Sequence, residues 1–223
     1  MSDIADILLR ILVLAPPILM ALTVHEAAHA GVAYLFGDPT AKQAGRLSLN
    51  PLRHLDVAGT LVFFFTAWFG SGIGWAKPVP VDYRRLSNPQ RGVMWVSAAG
   101  PAVNLLAAAL LGLALRLLVG LGVFVEYSLW RHYLAEVFLV GVQVNVVLAF
   151  FNLLPLPPLD GSGILMGLLP PRAAARYHAF SRYGFAILLA LIFLPQVVRG
   201  FPNLLGLLVL GPASLVTGWL LPG

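Results

Sequence analysis

The sequence predicts an all-α polytopic integral membrane protein. Of its 223 residues, 59% are hydrophobic and only 10% are charged, whereas about a quarter of an ordinary soluble domain is charged. Long apolar stretches recur along the chain, and about 20 apolar residues in a helix span the hydrocarbon of a bilayer. Since no polar stretch is long enough for a separate soluble domain, we expect one domain over residues 1–223, with about five or six hydrophobic helices.

The composition also excludes several classes of protein. The chain has no cysteine, which rules out disulfides, thiolate metal sites and cysteine nucleophiles. Its 14 Lys and Arg exceed its 9 Asp and Glu, giving a formal charge of +5. In a membrane protein such an excess marks cytoplasmic loops, so we expect no nucleic-acid partner. The N-terminus lacks the basic region and cleavage pattern of a secretory signal peptide.

The first apolar stretch, residues 4–36, is longer than one span requires, and Pro16-Pro17 interrupts it. Proline removes a helical hydrogen bond and clashes with the preceding turn. We therefore expect a short helix to about Ala15 and a second helix from about Pro17 to Phe36. Residues 37–39, Gly-Asp-Pro, are typical of a helix end.

The remaining elements follow from the pattern of apolar and basic segments. Apolar stretches occur at 57–76, 92–120, 134–154, 163–169, 184–199 and 203–220. Basic residues place loops 37–56, 77–91 and 172–182 on the cytoplasmic side, with 121–133 outside. If the first two loops share a side, residues 57–76 cannot cross, and we expect a re-entrant or interfacial element there. Short extended strands are expected at 45–50, which alternates, and at 77–83, where Pro78 and Pro80 disfavour a helix.

The segment His25-Glu26-Ala27-Ala28-His29 carries the chemistry of the first long helix. Residues four apart share a helix face, so His25 and His29 can bind one metal ion. Glu26 is close enough to take a proton from a metal-bound water. An ionisable side chain inside a membrane helix costs about 2.5–3.5 kcal/mol on insertion scales, so three together indicate a functional site.

A catalytic zinc site usually has three protein ligands, and the third must come from elsewhere in the chain. Most other histidines and carboxylates fall in loops or near the outer face. Asp160 is the exception, because it follows the cytoplasmic end of span 134–154 at the depth of His29, where prolines break the helix. Glu136 stays open as an alternative ligand. A second metal site at His54 and Asp56 is also conceivable, although a hydrogen-bonded loop is the simpler interpretation.

Three motifs together resemble one known family. HEAAH at 25–29 and NLLPLPPLDG at 152–161 are similar to the HExxH and NxxPxxxxDG of the site-2 protease family of intramembrane zinc metalloproteases. GPAVN at 100–104 resembles the GPxxN of the small bacterial and archaeal branch without a PDZ domain. The resemblance covers residues from about 17 to 165, the expected catalytic core, which leaves C-terminal helices at about 184–220.

The resemblance implies that His25, His29 and Asp160 hold one Zn²⁺ per chain and that Glu26 is the general base. It implies a zinc metalloendopeptidase that hydrolyses peptide bonds of membrane-spanning substrates by Glu-assisted attack of zinc-bound water. Regulated intramembrane proteolysis of a membrane-anchored transcriptional regulator is the expected context. The expected location is the cell membrane, with the active site toward the cytoplasmic side.

Several polar and small residues in the spans have two interpretations each. Asn104 and Asn152 could bind substrate backbone or an oxyanion, or they could form interhelical hydrogen bonds; the second is favoured for Asn145. Gly100-Pro101 predicts a kink or a close helix approach. Because helical peptide bonds resist attack, we expect the substrate to unwind and pair with 45–50 or 77–83 by strand addition.

Three other functions remain as alternatives to this reading. One is a catalytically silent scaffold or chaperone of the same family. Another is a gluzincin-type membrane protease with Glu136 as third ligand. The last is a transporter with a His-Asp ion relay, although its typical pair of broken helices in matching halves is not evident.

Overall fold

The computed structural model describes residues 4–68, 74–125 and 128–222. In these ranges the α-helices are α1 (Ile4–Leu35), α2 (Thr40–Gln43), α3 (Val57–Trp68), α4 (Pro89–Gly120), α5 (Leu129–Asn152), α6 (Asp160–Leu168), α7 (Pro171–Phe180), α8 (Gly184–Val197) and α9 (Gly211–Leu220). Single 3₁₀ turns lie at Pro51–Arg53, Tyr83–Arg85 and Ser181–Tyr183. A π-helical turn, Gly206–Leu210, leads into α9.

Four helical segments are long and apolar enough to cross a membrane: Ile4–Leu35, Pro89–Gly120, Leu129–Asn152 and Pro171–Val197. The last combines α7 and α8. Two shorter apolar helices, Val57–Trp68 and Gly206–Leu220, accompany them. The helical, multi-pass character predicted from the sequence is confirmed, with four helices of spanning length in the described part of the chain.

The predicted re-entrant element begins as α3, which has 12 residues. At 1.5 Å per residue this helix is about 18 Å long, short of the roughly 30 Å hydrocarbon core. Residues 69–73 lie outside the described part of the chain. The described length of α3 agrees with the expectation for 57–76, and the re-entrant course itself stays a prediction.

The predicted break at Pro16-Pro17 is wrong, because α1 runs through both prolines without interruption. Pro16 cannot donate to the carbonyl of Leu12, its partner one turn earlier. The hydroxyl of Tyr133 on α5 donates to that carbonyl instead, at 3.3 Å. Neighbouring helices can thus satisfy backbone groups that a proline frees inside a membrane helix.

The strands predicted at 45–50 and 77–83 are absent, since no strand occurs among the residues that the structure describes. The extended pairing is limited to one antiparallel bridge, Leu55 with Ala76. Between Pro78 and Pro80, the single N–H of Val79 donates to a side chain rather than to a strand partner. Pro78 and Pro80 have no N–H, and the N–H of Val79 is already used. This stretch therefore lacks the donors for a ladder of strand hydrogen bonds.

The basic segment 172–182 is also helical rather than a loop, since α7 covers Pro171–Phe180. Pro171 stands at the first helical turn, where a missing N–H is harmless. Alanine and arginine, which fill residues 172–176, are among the strongest helix formers.

Helix α4 lies at the centre of the bundle, where it contacts α1, α5 and α6. One apolar cluster joins Ala108 of α4 to Val142 and Val146 of α5 and to Ala213 of α9. The short helix α6 lies close against α4 because it presents glycines. A Cβ on Gly163 would collide with Ser97, and one on Gly167 would collide with Met94. This packing fixes the N-terminus of α6, where Asp160 lies.

Candidate metal centre

His25, His29 and Asp160 meet at one point between α1, α4 and α6. The Nε2 atoms of the two histidines are 3.0 Å apart, and Asp160 Oδ2 lies 3.1 Å from one and 3.4 Å from the other. Both histidines are buried. The structure therefore brings together the three side chains that the sequence nominated as ligands.

The outer nitrogen of each imidazole is held by an acceptor. His25 Nδ1 donates to Asn104 Oδ1 at 2.6 Å, and His29 Nδ1 donates to the Val96 carbonyl at 2.7 Å. Because a carbonyl oxygen can only accept, the proton of each neutral ring resides on Nδ1. Both Nε2 atoms then present lone pairs to the shared point, which is the tautomer that a metal ligand needs.

These three groups fit a metal ion and are poorly explained without one. Two imidazole lone pairs and a carboxylate oxygen converge, and the buried Asp160 Oδ2 has no hydrogen-bond donor. Electron-rich atoms this close repel each other unless a cation lies between them. Separations of 3.0–3.4 Å allow one ion to reach all three with bonds of about 2.0–2.2 Å, and two imidazoles with one carboxylate suit Zn²⁺.

Gly100 of α4 lies directly against the two imidazoles. A Cβ at this position would lie 2.5 Å from His25 Cε1 and 2.6 Å from His29 Nε2. The close approach predicted for Gly100-Pro101 is thus confirmed. Because Gly100 has no side chain, α4 lies close enough for Val96 and Asn104 to bond the Nδ1 atoms of the two imidazoles.

Glu26 is tied to the segment that crosses beside the site. Its Oε2 accepts the Val79 N–H at 2.8 Å. Since Pro78 and Pro80 have no N–H, Val79 supplies the backbone donor of this tripeptide. The bond holds one carboxylate oxygen of Glu26 and leaves the other free for proton transfer.

The segment around Val79 is anchored by the loop that ends α1. Asp38, fully buried, accepts the N–H and hydroxyl of Thr40 and the N–H of Asp82. Burial opposes ionisation of Asp38, but these hydrogen bonds outweigh it and lower the pKa of the carboxyl. Farther along, Ser87 N–H donates to the Phe36 carbonyl at 2.8 Å. The position of Val79, and with it that of Glu26, is thereby fixed relative to α1.

The asparagines nominated for substrate binding are placed differently from each other. Asn104 is fully buried, and its amide donates to the Ala21 carbonyl and to Asn145 Oδ1 while its oxygen holds His25. Asn145 in turn donates to the Gly141 carbonyl. Asn104 and Asn145 are therefore joined by a hydrogen bond between helices. Asn152 is half-buried and donates to Leu148 of its own helix, and its oxyanion role stays a prediction.

Other nominated groups do not join the centre. Glu136 lies nine residues from Asn145 on α5, about 13.5 Å along the helix, and it is absent from the ligand group found in the described part of the chain. Asp56 accepts the Gly59 N–H at the start of α3, and His54 bonds the Ser48 carbonyl. These two form the hydrogen-bonded loop that was the simpler interpretation.

An HExxH helix whose histidines meet a carboxylate among membrane-spanning helices defines a multi-pass membrane metalloprotein, and comparison with known proteins gives its family. The model of peptidase family M50 matches residues 13–194. A Bacillus subtilis protein named "Putative zinc metalloprotease YwhC" is 42% identical over 181 residues, 80% of this chain and 78% of that protein. "Putative zinc metalloprotease Rip2" of Mycolicibacterium smegmatis is 34% identical over 185 residues, 82% and 67% of the two chains. No solved structure shows a significant match.

The chain belongs to peptidase family M50, and it is a metalloprotease of the multi-pass membrane type. The resemblance to the site-2 protease family is confirmed at the level of the family. Both relatives are named as zinc metalloproteases, and the donor set of this chain suits Zn²⁺.

Replacing Gly100 by alanine is expected to weaken metal binding at least tenfold, because the new methyl group displaces both imidazoles. Zinc affinity of the purified variant, measured by chelator competition, checks this. Gly120→Ala is the matched control, since it is the same change on the same helix with no atom within 4 Å of the new Cβ. Equal zinc affinity in all three proteins would contradict the close approach of α4.

Replacing Asn104 by leucine is expected to lower zinc affinity about 10- to 100-fold, as removal of a partner of a metal-bound histidine typically does. His25 then loses the acceptor that fixes its tautomer. Asn104→Asp keeps an acceptor oxygen for His25 and is expected to bind zinc more tightly than the leucine variant, but its recovery is partial, because its second oxygen faces the Ala21 carbonyl and Asn145 Oδ1. If leucine and aspartate variants bind zinc equally, the hydrogen bond does not orient His25.

Proposed function

We propose that this chain is an intramembrane zinc endopeptidase that hydrolyses peptide bonds of membrane-spanning proteins. One observation carries the proposal: a buried His25, His29 and Asp160 group, with Glu26 beside it, lies among helices apolar enough to cross a membrane. A protease for soluble substrates has no need to place ionisable side chains there, because their insertion is costly.

When bound, Zn²⁺ polarises a carbonyl and lowers the pKa of a coordinated water. The residues of the chain supply the rest. Glu26 takes the proton of the attacking water and passes it to the leaving amine. Asn104 and the Val96 carbonyl hold the two imidazoles in the ligating tautomer. The Val79 N–H orients the carboxylate of Glu26.

The substrate enters in extended form, because the carbonyls of a helix are already hydrogen-bonded. Residues 77–82 have no helical structure and lie beside Glu26, which suits them to receive an unwound chain. Since the Val79 N–H is already used, the substrate would pair through other backbone groups of this segment. This supports the strand-addition proposal without a preformed strand.

The orientation of the site follows the basic residues. Loops 37–56, 77–91 and the basic helix α7 carry most of the excess positive charge, which favours the cytoplasmic side of the cell membrane. Asp160 lies beside His29, which is less than two helical turns before the loop that follows α1. A site there suits release of a cytoplasmic product, and a membrane-anchored transcriptional regulator is the substrate class that the family resemblance implies.

The test combines metal content with hydrolysis. Purified protein in liposomes is expected to hold about one zinc per chain and to cleave a labelled single-span model peptide inside its membrane segment, with 1,10-phenanthroline abolishing cleavage. Mass spectrometry of the products locates the cleaved bond. Zinc-loaded protein that cleaves none of a broad panel of such peptides would favour the silent scaffold instead.

A further inference from the structure

A cavity of about 250 Å³ lies between α1, α3 and residues 74–76, outside the metal centre. Helix α1 contributes Ala15, Leu19 and Leu22, and α3 contributes Thr60 and Phe63. Apolar side chains form most of its wall. Neither the metal ligands nor the hydrogen bonds of Glu26 use this space.

Each wall of the cavity includes a residue that lies within a few residues of Glu26 or of its hydrogen-bond partner Val79. On α1, Leu19, Leu22 and Glu26 follow one another at helical spacings of three and four residues, so they share a stripe of the helix. Leu22 lies one turn, about 6 Å, before Glu26. On the other wall, Ala76 is three residues before Val79, whose N–H bonds the Glu26 carboxylate. Glu26 does not itself line the cavity, but the wall reaches to Thr23, less than one helical turn before it.

His54 gives the cavity a polar group that lacks a partner. Its side chain lines the cavity and is 2% exposed. Nε2 donates to the Ser48 carbonyl at 2.8 Å, so Nδ1 of the neutral ring is an acceptor. This buried Nδ1 has no hydrogen-bond partner in the structure, and a buried acceptor left unpaired is costly.

We propose that this cavity is a specificity subsite that takes one bulky, uncharged side chain of the substrate beside the scissile peptide bond. The proposal rests on the proposed function. Its apolar wall rejects charged side chains, because burying a charge without a partner is costly. Tryptophan and tyrosine are the best occupants, since an N–H or O–H can satisfy His54 Nδ1. A lipid acyl chain would leave that acceptor unpaired.

The first test measures selectivity with a panel of single-span model peptides in liposomes. One position at a time on either side of the cleaved bond carries Trp, Tyr, Leu, Ala or Asp. At one of these positions the parent is expected to prefer Trp and Tyr over Ala by about tenfold or more in kcat/KM. Ala15→Phe and Thr60→Phe fill the cavity from opposite walls and are expected to remove that preference.

Met20→Phe is the matched control, because Met20 is 52% exposed on the same helix and is not part of the cavity wall. It should leave the preference for Trp over Ala as in the parent. The two filling variants are on separate helices, so the test still stands if one of the two proteins misfolds.

The second test detects occupancy without catalysis. The chain has no cysteine, so Leu19→Cys in a Glu26→Gln background gives one thiol in the cavity wall. When a mild oxidant is added to accept the two electrons, a model peptide with one cysteine at the selective position is expected to form a disulfide with this thiol. Met20→Cys, at the same depth but outside the cavity, should cross-link at least about tenfold more slowly.

The outcomes separate the subsite from the proposed function. If the parent cleaves peptides but the filling variants keep its selectivity and Leu19→Cys does not cross-link faster than Met20→Cys, the cavity is packing or lipid space and the subsite is refuted. If the parent cleaves no peptide, the proposed function fails and the subsite fails with it. Lost selectivity together with selective cross-linking supports both.

Discussion

Replacing Asp160 by alanine is expected to strip zinc from the purified protein, leaving less than about a tenth of the parent content, and to abolish peptide hydrolysis. The carboxylate supplies one of three converging donors, and a two-histidine remnant is not a catalytic zinc site. The affinity should fall more than the 10- to 100-fold typical of lost outer-shell partners. Metal analysis and a chelator-competition titration of parent and variant measure this.

Glu136→Gln is the matched control for this experiment. Glu136 is a half-buried carboxylate on α5, and its loss should leave the zinc content unchanged. The opposite pattern, in which Asp160→Ala keeps zinc and Glu136→Gln loses it, would establish the gluzincin-type ligand set. That result would also mean that the convergence of Asp160 with His25 and His29 has no role in metal binding.

Replacing Glu26 by glutamine is expected to leave zinc bound while lowering kcat by about 10²–10⁴, the usual contribution of a positioned acid-base group. Glutamine keeps the shape of the side chain, and its amide oxygen can still accept the Val79 N–H. The proton acceptor is lost, because an amide is not a base at neutral pH. Zinc content and single-turnover cleavage of the model peptide, measured on the same preparation, test this expectation.

A Glu26→Gln protein that cleaves peptides at the parent rate would remove Glu26 from the mechanism. Loss of zinc together with activity would assign Glu26 to the assembly of the site instead. As a control on fold, the thermal unfolding midpoint of the variant should match that of the parent.

The candidate metal centre could be predicted because its chemistry leaves a local pattern. The spacing of His25 and His29 follows from helix periodicity alone, and the cost of burying them indicates a purpose. Asp160 could be chosen by its depth, since a chain that leaves a span must place its next carboxylate near the end of that span. All three expectations rest on neighbours in sequence or on membrane depth.

The features that the sequence predicted wrongly or left open depend on contacts between distant parts of the chain. The sequence near Pro16 does not show that Tyr133, more than a hundred residues later, donates a hydrogen bond to the Leu12 carbonyl. This bond lets α1 continue through the prolines. The interhelical role of Asn104 depends equally on the facing His25 and Asn145. The sequence of residues 77–83 predicts a strand, but the N–H groups of Val79 and Asp82 donate to the side chains of Glu26 and Asp38. These features depend on which groups of other helices are available as hydrogen-bond partners, and local sequence propensity does not show that.

The tripeptide Pro78-Val79-Pro80 carries a single exchangeable backbone hydrogen, because proline has none. That hydrogen is the one that Val79 shares with Glu26. Deuterium uptake at this tripeptide therefore reports how often the bond opens, without a mutation or an attached probe. Exchange that slows or quickens when a substrate peptide is added would show directly whether occupation of the site tightens or releases the hold on Glu26.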